Sequence, residues 1–279
     1  MQLTPRYDGP DVLRIEVEVG DPSVPMVRQR RRLASALAAL PDDAWSVASR
    51  CEGWSVRDVI AHLVGTNQYW TISITSALAG SPTRFLESFD PVATPAAMVE
   101  SVRAKSAAEV LQEYVDSTDA LAAAVDGLGA DAWSVRGEAP PGHIELRAVV
   151  LHALWDAWTH ERDVLLPLGD AQASEADEVR SCLVYAAAIG PALLAAQGSD
   201  RRGVLAVSAR EPDVSLVVEA GECVVVREGI AADADAVLEG SAVELIEGLT
   251  LRAPLSCDVV PDSEWLLGGL AQAFDVARS

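Results

Sequence analysis

Lysine is nearly absent from this sequence: Lys105 is the single lysine among 21 basic residues, against 42 acidic residues and a formal net charge of −21. Surfaces that bind nucleic acids or anionic membranes need clustered cations, so this charge argues against both partners. No apolar run approaches the roughly 20 residues that cross a bilayer. The N-terminus also lacks the basic-then-apolar order of a signal peptide. These absences predict a soluble, cytoplasmic protein.

Paired-cysteine and nucleotide-binding motifs are missing as well. The four cysteines, Cys51, Cys182, Cys223 and Cys257, form no C-x-x-C pair, so we expect scattered reduced thiols. There is no phosphate-binding glycine loop, nucleophile elbow or dinucleotide fingerprint, which disfavours nucleotide-dependent chemistry. The scarcity of lysine beside abundant Ala, Val, Leu and Asp is typical of a GC-rich actinobacterial genome.

Hydrophobic periodicity divides the chain into a helical part and a mixed part. An N-terminal extension, residues 1–25, contains "VLRIEVEV", which alternates like a short strand and could pair with a C-terminal sheet. Residues 26–170 are predicted to form a four-helix bundle, and residues 171–279 a smaller domain with a helix, four β-rich pieces and two further helices. The fold class is therefore α+β. The predicted bundle helices cover about 26–40, 55–79, 95–125 and 144–166.

One predicted helix, "ELRAVVLHALWDAWTHERDV", carries a narrow stripe of ligand-type side chains. At about 100° per residue, His152, Asp156, His160 and Asp163 fall on one face. That face could be the solvated side of an amphipathic helix, although such sides usually carry Glu, Lys and Arg, which the stripe lacks. His and Asp side chains at i and i+4 converge on one point and are metal ligands. Spacing alone leaves both interpretations open.

A distant histidine can supply a further ligand. In "CEGWSVRDVIAHL", Ser55 and Asp58 are spaced as a capping box that predicts the start of a helix. His62 lies in that helix among apolar residues. Taken alone, it fits a histidine at the edge of a core, but beside the stripe it becomes a candidate third metal ligand. Three protein ligands and one open position are typical of a catalytic zinc site.

Two motifs, "WSVASRCEGWSVRDVIAHL" and "DAWTHERDV", resemble those of the mycothiol-dependent maleylpyruvate isomerase family, a branch of the DinB-like metal-binding four-helix bundles. The resemblance implies that His62, Asp156 and His160 bind a divalent metal, expected to be zinc. The family usually has Glu at the acid position. The shorter Asp156 therefore leaves His152, one turn earlier, as an alternative ligand. Asp163 matches an acidic residue that commonly follows the histidine.

The C-terminal stretch "ADAVLEGSAVELIEGLTLRAP" is similar to the sterol-carrier-protein-like domain of many family members. This implies that Arg252 can reach the active site, so Arg252 and Asp163 are the predicted catalytic residues. Arginine recognises carboxylates through paired hydrogen bonds, and Arg57 and Arg162 are predicted to bind the cosubstrate or the substrate. We expect Cys51, in the turn before the first motif's helix, to pack rather than to react.

The implied activity is activation of a low-molecular-weight thiol, mycothiol, for attack on an electrophilic small molecule. An S-transferase is the expectation, because Asp156 and the N-terminal extension depart from the isomerase pattern. A cis–trans isomerase of the maleylpyruvate type is the alternative. A non-catalytic module that binds a metal or small ligand also stays open. The partners would be the thiol and the electrophile, and the chain could be a monomer or a homodimer.

Overall fold

A computed structural model describes residues 3–170 and 173–274 of the chain, and it places a helical part before a sheet-rich part, which confirms the α+β class. The first part contains β1 (Leu13–Ile15), α1 (Ser23–Ala38), α2 (Val56–Leu78), α3 (Ala93–Ser101), α4 (Ala107–Val125), α5 (Ala130–Trp133), β2 (Arg136–Ala139), β3 (Gly142–Glu145) and α6 (Leu146–Leu165). The second contains α7 (Ala176–Ala196), β4 (Gly203–Arg210), β5 (Val214–Ala220), β6 (Val224–Glu228), β7 (Ala236–Ser241), α8 (Ala242–Leu249), β8 (Asp258–Val259) and α9 (Trp265–Phe274).

Helix α2 begins where its sequence predicts. The Ser55 side chain accepts a hydrogen bond from the Asp58 backbone N–H, and the Asp58 carboxylate accepts one from the Ser55 N–H at 3.0 Å. This reciprocal cap satisfies two donors that the first turn would leave unpaired. Val56, Val59 and other apolar residues of α2 are fully buried in a cluster shared with α1, α4 and α6. Burying each such side chain contributes roughly 1.5–3 kcal/mol, so α2 is firmly held.

Two local predictions are wrong. The long helix expected over 95–125 is broken, because Ser106 and Glu109 form a second capping box that starts α4 after α3 has ended. The loop expected before α6 instead holds the antiparallel hairpin of β2 and β3. Gly142 of that hairpin has a φ of 130°, and a Cβ there would lie 2.0 Å from the Arg6 carbonyl oxygen. Glycine is therefore required where the N-terminal segment crosses the hairpin.

The second part is built on a six-stranded sheet with the order β1-β6-β5-β4-β7-β8. Its first strand comes from the N-terminal extension, as β1 runs parallel to β6 with Leu13 opposite Val224. The structure thus contains the pairing with the C-terminal sheet that the sequence left as one possibility for this extension. The extension is also joined to the hairpin, since the Arg6 N–H donates to the Pro141 carbonyl.

Helix α7 joins the two parts. It packs against α6 on one side and against α8, α9 and the sheet on the other. Contrary to the expectation from the sequence, α7 is long and apolar enough to cross a membrane by length and composition alone, but 89% of its 18-residue apolar window is buried inside the protein. This burial fits a core helix rather than a membrane span. The residue boundaries predicted for the bundle and the second domain stay predictions.

Candidate metal centre

The centre is formed where α2 and α6 face each other. His62 comes from α2, while Asp156 and His160 lie one turn apart on α6. Their ligand atoms all lie within 4.8 Å of one another. The two imidazole rings meet edge to face with centroids 5.0 Å apart, and His160 Nε2 is 3.7 Å from Asp156 Oδ1. Ligands of tetrahedral zinc lie about 3.4 Å apart, so small side-chain movements would let all three bind one ion.

Asp156 shows that these residues fit a cation. Its Oδ2 atom is buried and has no hydrogen-bond partner. Burial raises the pKa of Asp156, although His160, Arg30 and Arg252 act in the opposite direction. A buried carboxylate oxygen without a partner is costly and rare in folded proteins. A divalent cation between the three side chains would supply the missing partner.

The two histidines differ in protonation. Burial and the neighbouring His160 lower the pKa of His62 to about 3, so His62 is neutral and able to donate a lone pair to a metal. Burial also lowers the pKa of His160, but hydrogen bonds with Asp163 and Cys51 outweigh it and raise the pKa to about 10. His160 therefore carries a proton near neutral pH.

Asp163 lies behind His160. Its Oδ2 is 3.0 Å from His160 Nδ1, and the side chain has no exposed surface. Burial raises the pKa of Asp163, but hydrogen bonds from His160 and Arg252 outweigh it and hold the pKa far below its usual range. The ionised carboxylate thus accepts the Nδ1 proton and leaves Nε2 to face Asp156, as carboxylates behind zinc-bound histidines do. Asp163 thus contacts His160 from behind and has no exposed surface of its own.

Arg252 reaches the centre from the second part of the chain. Its Nε and Nη2 atoms donate to the two oxygens of Asp163 at 2.9 and 2.8 Å, and a quarter of its side chain stays exposed. The preceding Leu251 has a positive φ of 63°, which turns the chain after α8 toward α6. The structure therefore brings this predicted residue to the centre, paired with Asp163.

Arg162 and Arg57 are placed differently. Arg162 Nε donates to Glu247 at 2.6 Å, and its guanidinium lies over the Trp158 ring. Arg57 donates to the Lys105 carbonyl at 3.1 Å, in the connection between α3 and α4. At about 100° per residue, Arg57 lies some 140° around α2 from His62. The structure therefore leaves Arg57 outside the centre.

Arg50 and Glu247 were missed by the sequence analysis. Arg50 donates through Nη1 to Glu247 at 3.1 Å, and its backbone N–H donates to the Asp163 carbonyl at 3.0 Å. Burial raises the pKa of Glu247, but Arg50 and Arg162 outweigh it and lower the pKa. This ion pair joins the turn before α2 to α8. Arg50 stands inside the first motif, but nothing in the sequence identified its distant partner.

Cys51 packs against the apolar cluster, as expected, and also lies beside the centre. Its Sγ is 3.6 Å from His160 Nδ1 and 3.2 Å from Asp163 Oδ2. The cysteine and the aspartate thus share one ring nitrogen, whereas a nucleophile and an orienting acid occupy opposite nitrogens in a catalytic triad. Cys51, His160 and Asp163 also form a second possible ligand group. Because Arg252 already pairs with Asp163, a cation is disfavoured there.

Replacing Cys51 with serine is expected to leave cobalt affinity within about threefold of the wild type, because the sulfur is not among the favoured ligands. Cobalt(II) titrated into the wild-type protein should give visible d–d bands without a near-ultraviolet sulfur-to-cobalt band. A sulfur charge-transfer band that disappears in Cys51→Ser would instead place the metal in the second group.

His152 is separate from the three-residue group. Its Nδ1 lies 2.6 Å from the Tyr185 hydroxyl oxygen, within hydrogen-bond distance, and its ring packs against Trp70 and Trp155. Burial lowers the pKa of His152 to about 3, so the ring is neutral. The structure groups Asp156, and not the alternative His152, with His62 and His160.

Comparisons with known proteins give one family and one fold. Residues 27–165 match the family described as the mycothiol maleylpyruvate isomerase N-terminal domain. Crystal structures of a mycothiol-dependent maleylpyruvate isomerase and of a point mutant of it are similar to this chain, each with a TM-score of 0.61 and 15% sequence identity. The similarity covers 89% of this chain and 97% of each of those chains, and at this identity it concerns the fold. No curated protein matches the sequence.

Proposed function

Because residues 27–165 belong to the family of mycothiol maleylpyruvate isomerase N-terminal domains, we propose that the chain is a metal- and mycothiol-dependent cis–trans isomerase. Its substrate would be a small electrophile with a conjugated double bond. The observation that carries the proposal is the grouping of His62, Asp156 and His160, whose ligand atoms lie within 4.8 Å of one another, inside this domain. The unpartnered Asp156 oxygen supports a cation at that point.

His62, Asp156 and His160 would hold the cation, and a set of two imidazoles and one carboxylate suits zinc. When bound, a divalent cation lowers the pKa of a thiol at its open position. The protein's own residues would supply the other roles in the reaction. Asp163 keeps the His160 Nδ1 proton in place, and Arg252 keeps Asp163 ionised. Arg252 also retains exposed surface with which to approach a substrate carboxylate.

The reaction requires a thiolate near an electrophilic carbon. The thiolate adds to the conjugated double bond, and the displaced electron pair moves onto the substrate carbonyl oxygen. Rotation about the resulting single bond and elimination of the thiolate then give the other isomer. Mycothiol is regenerated, so it would act catalytically.

S-transfer is a second candidate that uses the same thiolate. It was favoured by Asp156 in place of the usual glutamate and by the N-terminal extension. The extension now has a structural explanation, since it supplies β1 to the sheet and crosses the hairpin through Arg6. Asp156 is thus the remaining observation for transfer, and the comparisons support the isomerase more strongly.

The test is incubation of zinc-loaded protein with catalytic mycothiol and maleylpyruvate, followed by chromatography and mass spectrometry. Isomerisation without a lasting conjugate is the expected result. A thiol conjugate that accumulates in proportion to mycothiol would favour S-transfer. Purified protein that binds no stoichiometric divalent metal, with no turnover of any electrophile, would instead support a non-catalytic module.

Zinc binding at pH 7 is expected to release about one proton. His160 has a pKa of about 10 before the metal binds, and His62, with a pKa of about 3, is already neutral. Because the metal competes with the His160 proton, apparent affinity should rise about tenfold per pH unit and level off near pH 10. Calorimetric titrations in buffers of different ionisation enthalpy measure this proton. A binding enthalpy that is the same in every buffer would contradict the assignment.

A further inference from the structure

One carboxylate of the second part, Glu247 near the end of α8, holds two arginines of the first part. Its Oε1 accepts hydrogen bonds from Arg50 Nη1 at 3.1 Å and from Arg162 Nε at 2.6 Å, and its Oε2 accepts one from Arg50 Nη2. Only 11% of the Glu247 side chain is exposed. Paired hydrogen bonds between an arginine and a carboxylate fix the relative position of the two groups. Glu247 therefore holds the Arg50 guanidinium beside α8.

The backbone turn after α8 places Arg252 next to this ion pair. The Arg252 N–H donates to the Glu247 carbonyl at 2.8 Å, and the Leu251 N–H donates to the Gly248 carbonyl at 3.2 Å. These two bonds form a Schellman motif, in which the residue with positive φ is usually glycine. Here that residue is Leu251, with a φ of 63°. A conformation that leucine rarely adopts thus helps to direct Arg252 toward Asp163.

Arg50 also lies close to the carboxylate that Arg252 binds. Its Nε is 3.7 Å from Asp163 Oδ1, and its backbone N–H donates to the Asp163 carbonyl at 3.0 Å. The same Oδ1 accepts the hydrogen bond from Arg252 Nε at 2.9 Å. Two guanidinium groups therefore face one carboxylate oxygen, and Arg252 makes the shorter contact.

The balance of charge decides which arginine binds Asp163. Three arginines surround two carboxylates in this region: Arg50, Arg162 and Arg252 around Glu247 and Asp163. With Glu247 ionised, Arg50 has a carboxylate of its own. Without that charge, Arg50 Nε would need to move only about 1 Å to reach hydrogen-bond distance from Asp163 Oδ1. Like charges repel, so Arg252 would then be displaced.

We propose that Glu247 is a positioning residue for the metal centre: by engaging Arg50, it reserves the Asp163 carboxylate for Arg252. The Arg252 side chain then keeps its exposed surface beside the centre, where it can approach a substrate. The proposal rests on the metal-dependent function proposed above and adds to it a residue that acts through Arg50. If Glu247 only joined the two parts of the chain, removing Arg50 as well would weaken the arrangement further.

The test follows the Arg252 Nε–H group by nuclear magnetic resonance in zinc-saturated protein isotopically labelled on arginine; its signal is the one that disappears in Arg252→Lys. In Glu247→Gln, this proton is expected to exchange with water about tenfold faster than in the wild type, because its charge-assisted hydrogen bond is lost. In Glu247→Gln combined with Arg50→Gln, the exchange rate should return to within about threefold of the wild type, since the competing cation is absent.

Glu244→Gln is the matched control, because Glu244 lies on the same helix and accepts hydrogen bonds from Ser241 at the exposed start of α8. Glutamine also completes such a cap, so Arg252 exchange should stay within about twofold of the wild type. Turnover with mycothiol gives a second readout. Glu247→Gln should lower kcat about tenfold, and the double variant should recover most of it. Zinc affinity should stay within about threefold in both, because Asp163 remains ionised behind His160.

An Arg252 Nε–H that exchanges at the wild-type rate in Glu247→Gln would overturn the proposal. A double variant that exchanges as fast as Glu247→Gln would overturn it too, since Glu247 would then only join the two parts. Should Glu247→Gln fail to fold, Arg50→Gln alone decides: wild-type protection of Arg252 is expected, and its loss would mean that Arg50 supports Arg252 rather than competes with it. A wild type that binds no zinc would count against the proposed function, whereas exchange rates measured without metal would still test Glu247.

Discussion

His160→Ala is expected to lower zinc affinity more than a hundredfold and to remove the mycothiol-dependent activity. His160 is one of three ligands, and loss of a direct ligand exceeds the 10–100-fold effect of changing a residue behind one. The substitution also removes one of the partners of Asp163 Oδ2 and the imidazole that faces Asp156. Zinc competition against a chelating dye measures the affinity, and the isomerase assay measures the activity.

His143→Gln is the matched control for this substitution. His143 lies in β3, and its Nε2 is 2.7 Å from the Thr83 carbonyl, to which a glutamine amide can also donate. Zinc affinity in this variant should stay within about twofold of the wild type. Stoichiometric zinc with unchanged affinity in a folded His160→Ala protein would exclude the ligand set proposed here.

Asp163→Asn is expected to have the second largest effect, because it acts on both stability and metal binding. The wild-type carboxylate is fully buried and pairs with Arg252 and His160. Breaking one partner of a buried ion pair typically costs about 3–5 kcal/mol. In addition, an asparagine amide can donate to Nδ1, which moves the ring proton to Nε2, the nitrogen that faces the metal. Zinc affinity should therefore fall about 10–100-fold.

The stability effect of Asp163→Asn should depend on pH with a defined sign. Because the pKa of Asp163 is far below its unfolded value of about 3.9, its stabilisation is complete above about pH 5. This stabilisation declines as the pH falls below about 4, so the difference in free energy of unfolding between wild type and variant should narrow there. Urea unfolding of the metal-free wild type and variant at pH 7 and pH 3.5 measures this difference in the free energy of unfolding.

Asp177→Asn provides the control for that series, since Asp177 pairs with Arg28 at an exposed position where half of its side chain is accessible. Exposed ion pairs contribute about 0–1 kcal/mol, so little change is expected. Asp163→Asn could lower the free energy of unfolding no more than Asp177→Asn does and keep its zinc affinity. That result would mean that Asp163 does not hold His160.

Local patterns predicted the parts of the centre that lie within one helix or one turn. The spacing of Asp156, His160 and Asp163 follows from the helical repeat, and the cap at Ser55 follows from its pairing with Asp58 three residues later. His62 could be predicted only beside the stripe on α6, because one histidine among apolar residues, taken alone, is compatible with simple packing.

Contacts between distant segments could not be predicted in this way. The pairing of Arg50 with Glu247 joins residues 197 positions apart, and no local rule relates them. Arg162 was predicted to bind a ligand, yet the same glutamate holds it. The end of α3 could have been predicted, since Ser106 and Glu109 have the spacing of a capping box, but the apolar pattern on either side hid it. Long-range charge pairing therefore limits prediction of the site more than secondary structure does.

The pairing of β1 with β6 sets an order of events during synthesis. Leu13 leaves the ribosome early, but its partner Val224 follows more than two hundred residues later. Contacts this distant in sequence slow folding, and the sheet stays incomplete until most of the chain has been translated. Without β1, β6 would present an unpaired edge, which is a template for aggregation. Deleting the first twenty residues, or fusing another protein to them, should thus lower the yield of soluble protein.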